Sequence, residues 1–337
     1  MWVYCGNCVK IKSIPKKALL TFVFFMTFCM GLYPIVDYSD KDKYLRLYMS
    51  IYNNTYWGEY KDFGWFVFVK ICTKVFATNY YLFFLLISFI YTLCYYKFSM
   101  HFFGRKYSGY FILMAFGCLG FTGYGVNTIR SGIAVGFLLL SLTFEKRIFY
   151  RVLFALLSMM FHLSMVLPIG AYLLVKSLKK DKFVYFLWLF CFMLSILNTD
   201  LTSIVEVFMT VDERVDKYIN MGDEMYKKGY RVDFLIYSLI PIIISYYYKK
   251  KRYIKFQLFR ELYLTYIVVN AFWLLVIRMA FTNRIAYLSW MIIPFIVLYP
   301  IISNQEVIKK PQRVVLRVMT LFIGVNLLLS LRDLLLK

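Results

Sequence analysis

An all-α bundle of transmembrane helices, of about ten or eleven membrane helices, is the fold class that the sequence predicts. Three observations predict it. Apolar residues make up 61% of the 337 positions, they gather in runs near the length that crosses a hydrocarbon core of roughly 30 Å, and the mean hydropathy is positive. In lipid a span must satisfy its own backbone, which makes such runs helices.

The first apolar run, 18 to 36, follows Lys10, Lys12, Lys16 and Lys17. That is the charge layout of a secretory signal, but the run is long enough to span and has no small-residue cleavage site, so it is expected to stay as the first helix. Further spans are expected at about 79–96, 109–126, 128–144, 183–199, 232–248, 261–281, 285–303 and 314–331. Two stretches are ambiguous. Residues 63–78 carry Lys70 and Lys74 in mid-run, and residues 151–175 surround His162 and Pro168.

Charge placement decides between topologies. If 63–78 dips into one interface without crossing, and 151–175 forms two short helices meeting near His162, the basic loops all fall on one side. They hold Lys97, Arg105, Lys106, Lys146, Arg147, Arg151, Lys176, Lys179, Lys180 and Lys182. The run Lys249 to Arg252, Lys255, Arg260, Lys309, Lys310, Arg313 and Arg317 joins them, with only Glu145, Asp181, Glu261 and Glu306 of the 18 acids. By the positive-inside rule that side, with the N-terminus, is cytoplasmic. A competing topology lets 63–78 cross and 151–175 cross once. It moves Lys97 to Lys106 and Lys146 to Arg151 outside, and ranks second.

The chain reads as one integral membrane domain over 1–337, with outer loops at about 37–62 and 198–231. The second is the longest polar stretch and is rich in acids from Asp200 to Glu224. The formal charge of +22 comes without a basic tail or soluble domain, so nucleic acid is not an expected partner. Cys5 and Cys8 form a CxxC with no second ligand pair, so neither metal nor cofactor is expected. The other cysteines read as small apolar residues. Tyr and Phe, 31 and 34 in number, suit membrane interfaces and equally a pocket between helices.

A few polar residues stand out. Arg130 lies at the outer end of a span in Gly123-Tyr-Gly-Val-Asn-Thr-Ile-Arg-Ser-Gly-Ile-Ala134. A guanidinium there can grip a phosphate with paired hydrogen bonds; an interfacial anchor is the plainer alternative. His162 sits in an uncharged stretch, and imidazole can take a proton from a sugar hydroxyl near neutral pH. A structural histidine bonded to Ser158 or Ser164 fits as well. Arg278 and Arg284 bracket a short outer connection and, with Arg130, would make a cationic cluster suited to a diphosphate; pairing with acids such as Asp62 or Asp233 is the alternative. The chain shows no nucleotide or hydrolase motif, so the energy must come from the substrate.

In order along the chain come Asp37-Tyr38 with Tyr44 and Tyr48, then Asp62-Phe63-Gly64-Trp65. Asn127-x-x-Arg130-x-Gly132-Ile133-Ala134 follows, then Phe161-His162-x-Ser164 and Asn283-Arg284 with Tyr287. This pattern resembles the EpsG-like group of Wzy-type polysaccharide polymerases, where an acid-x-Gly-aromatic element more often has Glu than the Asp62 found here.

The resemblance implies an integral membrane glycosyltransferase of the GT-C-like kind in the bacterial inner membrane. It would pass a growing glycan from undecaprenyl diphosphate to a lipid-linked repeat unit at the periplasmic face, for O-antigen, capsule or exopolysaccharide. Arg130, Arg284 and His162 would be catalytic; Arg278, Asp37, Tyr38, Asp62, Trp65 and Asn127 would bind substrate. Membrane lipids, a chain-length regulator and a flippase of the same pathway are the implied partners. A flippase or transporter for the same lipid-linked sugars and a membrane O-acyltransferase are the alternative functions.

Overall fold

The structure is a computed structural model and describes residues 11–36, 39–56, 58, 62–197, 229–250, 257–279, 282–305, 308 and 310–335. Asp37, Tyr38, Cys5, Cys8 and nearly all of the second outer segment lie outside the described residues. Among the described residues there is no strand. In chain order the helices are α1 (Lys16–Gly31), α2 (Asp40–Tyr52), α3 (Phe63–Phe76), α4 (Tyr80–Gly117), α5 (Leu119–Val126), α6 (Ile129–Leu142) and α7 (Ile148–Phe161). Then follow α8 (Val166–Ser177), α9 (Lys182–Ile196), α10 (Val232–Lys250), α11 (Gln257–Leu275), α12 (Thr282–Trp290), α13 (Ile293–Ser303) and α14 (Pro311–Leu335). They form two compact units, Met1–Val166 with Gln305–Lys337, and Leu167–Asn304.

Helix α4 is a hairpin. In a straight helix residues 95 and 111 would lie about 24 Å apart, yet the rings of Tyr95 and Phe111 are 6.2 Å apart and those of Phe98 and Phe111 5.4 Å. The chain reverses at Gly104, whose φ of 61° and ψ of −177° belong to a region open essentially to glycine. The arms correspond to the two spans expected at 79–96 and 109–126, although the second breaks at Cys118, where the backbone turns extended before α5.

The span expected at 285–303 is likewise two helices, because Pro294 cannot donate to the turn before it; together, Thr282–Ser303 are long and apolar enough to cross a membrane. So are Tyr80–Gly117, Gln257–Leu275 and Pro311–Leu329, with shorter apolar helices between them. The first outer segment is not all loop. Ser39 caps α2 by accepting the Asp42 N–H at 3.2 Å, and Asp40 and Asp42 sit in its first turn, where carboxylates are favoured.

Large apolar side chains stand exposed along the outer faces of single helices: Ile148, Phe149, Val152 and Leu156 on α7, Phe183, Phe186, Phe190 and Met193 on α9. Apolar faces exposed in this way are uncommon in water and ordinary against lipid. The polar groups turn inward instead. Thr27 and Thr92 hydroxyls meet at 2.7 Å, Ser158 Oγ donates to Ala134 O at 2.6 Å, and Trp188 Nε1 donates to Asn270 Oδ1 at 2.9 Å, the interhelical bonds expected where no water competes. This is a multi-pass membrane protein.

In the first unit α1 packs on α4, α4 on α6, α6 on α7, α3 on α7, α2 on α3 and α14 on α4. One end is tied by a polar knot. Tyr110 Oη donates to Lys12 O at 2.8 Å, Gln312 Nε2 donates to Tyr110 Oη at 3.0 Å, and Gln305 Nε2 donates to Tyr107 Oη at 2.8 Å. His101 Nε2 lies 3.9 Å from a Glu145 carboxylate oxygen. The basic segments 12–17, 97–106, 145–151 and 310–317 therefore share one end of this unit. The competing topology would separate Lys12 from Tyr110 across the membrane, and their hydrogen bond leaves it no room.

Candidate active site

At the opposite end of α6, three stretches that are far apart in sequence meet. Arg130 lies in the first turn of α6, after the Thr128 cap, where unpaired N–H groups add positive potential. Asp62 immediately precedes α3. His162 ends α7 with extended backbone, φ −156° and ψ 113°, and opens a short 3-10 turn, Leu163–Met165.

Two glycines let these elements close. A Cβ on Gly64 would lie 2.9 Å from Met160 Cβ and 3.1 Å from Met160 backbone atoms, so the first turn of α3 sits flush on the last turn of α7. A Cβ on Gly132 would lie 2.5 Å from Tyr124 O, which brings the start of α6 against α5. The glycines of the Asp-x-Gly-aromatic and Arg-x-Gly-Ile-Ala elements are thus needed for close approach.

Asp62 is the meeting point. Its Oδ2 forms an ion pair with Arg130 Nη1, the side chains being 5% and 12% exposed, and its Oδ1 accepts the Leu163 N–H at 3.3 Å. The pairing of Arg130 with Asp62, one of the alternatives open in the sequence, is the one present. Arg130 Nε is buried and has no hydrogen-bond partner among the described residues.

His162 also makes a bond open in the sequence. Its Nδ1 accepts the Ser164 N–H at 3.4 Å and lies 3.2 Å from Ser164 Oγ, while the His162 backbone N–H donates to Ser158 O at 3.1 Å. An Nδ1 that accepts from a backbone N–H leaves the proton of a neutral ring on Nε2. In that tautomer the in-plane lone pair of the ring is that of Nδ1, which faces the Ser164 N–H and hydroxyl.

Trp65 is buried among Tyr44, Phe68, Phe83 and Phe161, with centroid distances of 5.3 to 6.4 Å. Asn127 is exposed and ends α5, its N–H donating to Gly123 O at 3.0 Å. Arg278 and Arg284 belong to the second unit. The Arg278 guanidinium lies 4.8 Å over the Tyr230 ring and donates to Ser195 O at 3.5 Å, and Arg284 lies in the first turn of α12. Asp233 is held by Arg231 at 2.7 Å.

Sequence reasoning missed Lys41. It is 3% exposed, and its Nζ donates to Tyr33 O at 2.6 Å, Gly31 O at 2.9 Å and Met30 O at 3.4 Å, carbonyls at and just beyond the end of α1. It also lies 4.7 Å over the Phe84 ring. Burial lowers its pKa to about 8. Lys41 fastens α2, and with it Tyr44 against Trp65, to the end of α1. Its place in a charged segment, Asp40-Lys-Asp-Lys43, hides this, because the outward Lys43 and the buried Lys41 look alike in sequence.

Among the described residues no three His, Cys, Asp or Glu side chains gather closely enough to hold a metal ion. What the arrangement brings together, within the first unit, is a guanidinium at a helix start, paired with a carboxylate, and the turn that carries the His162 imidazole.

Neither the curated proteins nor the solved structures give a match to this chain. The elements that converge on Asp62, and the helices of the second unit, all lie within residues 16–334, the stretch matched by the EpsG family model, and the chain belongs to the EpsG family.

Proposed function

We propose that this chain is a polysaccharide polymerase that joins lipid-linked repeat units at the outer face of the bacterial cytoplasmic membrane. Family membership points to polysaccharide synthesis, and the observation that carries the finer reading is the convergence of Arg130, Asp62 and the turn after His162 at one end of the first unit. That end lies across α6 from the basic segments, so if those face the cytoplasm by the positive-inside rule, the site faces outward.

In the proposed reaction the anomeric carbon of the growing glycan leaves the oxygen of undecaprenyl diphosphate and bonds to a hydroxyl oxygen of the incoming unit. Charge builds on the departing diphosphate, and Arg130 with the start of α6 stabilises it, work done best by groups already oriented in a dry site. The hydroxyl proton passes to His162 Nδ1, directly or through Ser164 Oγ, whose own proton moves on to the ring. The sugar passes through an oxocarbenium-like state, as in other glycosyl chemistry. The parts of Arg278 and Arg284 in holding the diphosphate, and of Asn127 in binding substrate, are proposed on the sequence alone.

The test is Arg130→Ala and His162→Ala in cells that lack the native chain, with lipid-linked glycan resolved on a gel. Single repeat units capped onto their acceptor are the expected product. Long chains at the normal modal length would overturn the assigned roles, and absence of any glycan outside the cell would point to a flippase instead.

A further inference from the structure

We propose that Asp62 is the positioning residue of this site, holding Arg130 and the His162 turn in one constellation and leaving the Nε edge of the guanidinium for an anionic ligand. The inference rests on the reading of Arg130 and His162 as the reacting pair.

The geometry assigns the role atom by atom. A guanidinium is planar and presents its N–H groups in a fixed fork. Asp62 pairs with it at Nη1, so the direction of the Nε edge is set by the carboxylate. Nε itself is buried with no partner among the described residues, and a buried donor left unmet is costly. A phosphate oxygen is the acceptor that suits it, since paired N–H bonds to phosphate are what that edge forms best. The other carboxylate oxygen, Oδ1, accepts the N–H of Leu163 at 3.3 Å, and Leu163 follows His162 directly. One side chain thereby sets the position of the cation and of the turn that carries the base. It needs no contact with substrate to do so.

Two rival roles make opposite demands. Were Asp62 a competitor sitting in the anion seat, neutralising it would tighten donor binding and speed turnover. Were it only a structural strut, its loss would lower the amount of folded protein and leave each folded molecule as active as before.

The experiment uses the full chain, purified in lipid nanodiscs, with lipid-linked repeat units extracted from cells lacking it as donor and acceptor. Asp62→Asn keeps an oxygen for the Leu163 N–H and removes the charge that orients Arg130. The expected result is a fall in kcat per folded molecule of about 100-fold, the scale of a misplacement near 1 Å, with KM changed by less than about threefold. Asp62→Glu, which restores the charge, should recover about a tenth or more of the wild-type kcat.

In an Arg130→Ala background, Asp62→Asn should have little further effect, because a residue that acts through another shows strong non-additivity. Wild-type kcat and KM in both Asp62→Asn and Asp62→Leu, or a lower KM with faster turnover, would overturn the proposal while Arg130→Ala remained inactive. Full activity in Arg130→Ala and His162→Ala would instead sink the parent reading.

Discussion

Gly132→Ala adds one methyl group two residues from Arg130, and its consequence can be worked from the packing. The new Cβ would stand 2.5 Å from the Tyr124 carbonyl oxygen, where carbon and oxygen ordinarily approach to about 3.3 Å. The obstacle is backbone, so no rotamer change relieves it, and the start of α6 must draw away from α5 by about 0.8 Å. Overpacking of this kind costs about 1–3 kcal/mol, which a bundle of this size survives. The effect on chemistry is larger. Arg130 rides on the shifted turn while Asp62 stays with α3, and a displacement near 1 Å costs about 100-fold in rate.

Gly136→Ala is the control: one turn further along α6, its Cβ would meet Cys94 Cβ at 3.1 Å and Sγ at 3.3 Å, which asks α4 to give by only a few tenths of an ångström, well short of the shift that Gly132→Ala demands. In-gel glycan ladders, normalised to folded protein in the membrane, should show Gly132→Ala reduced to short chains and Gly136→Ala near normal. Equal ladders from the two variants would refute the link between α5–α6 contact and site geometry.

Two further expectations come from the first unit. Gly104→Ala meets no atom within 4 Å of its new Cβ, but it keeps a φ of 61°, so the variant should lose about 1–3 kcal/mol through backbone strain alone. Thermal unfolding in detergent reads this, and an unchanged Tm would show that the α4 reversal does not need glycine. Folded Lys41 releases its proton near pH 8, whereas the unfolded chain holds it to the ordinary value of 10.5. Between these values the unfolded state binds more protons, so this residue makes stability rise with pH above about 8 and contributes no slope well below it. Lys41→Met should remove that rise from a series of Tm measurements, and an identical slope in the variant would place the titration elsewhere.

The bundle was largely legible because lipid leaves the backbone few choices. The runs at 18–36, 128–144 and 232–248 are close to α1, α6 and α10, and His162 does mark the join of two short helices. What escaped was set by contacts and not by composition. The break at Cys118 and the turn before α13 sit inside continuous apolar runs, where hydropathy has no boundary to show. Helix α2 lies in a stretch too polar to count as a span, although its Ser39 cap and early acids are local signals that a reader could have used.

At the site, Arg130 and His162 stood out as ionisable groups at the edge of apolar sequence, yet nothing local says that Asp62 will take both Arg130 and the N–H of Leu163. Gly64 and Gly132 also look like softeners of their own backbone. Their need for a bare Cα comes from Met160 and Tyr124, neighbours that only the fold supplies.

The Asp62–Arg130 pair itself is hard to explain by stability. Removing two charges from water costs several kcal/mol per ion, and well-packed apolar residues of similar volume often stabilise a fold as well or better. Around this pair apolar packing is at hand, since Trp65, Phe68, Phe83 and Phe161 already form a cluster. An ion pair in such surroundings, with one guanidinium nitrogen buried and unmet, keeps a cation at a fixed angle under low dielectric. There its field on an arriving diphosphate is stronger than it would be in water. That property serves chemistry more than folding, and it is the physical reason for placing the reaction at Arg130.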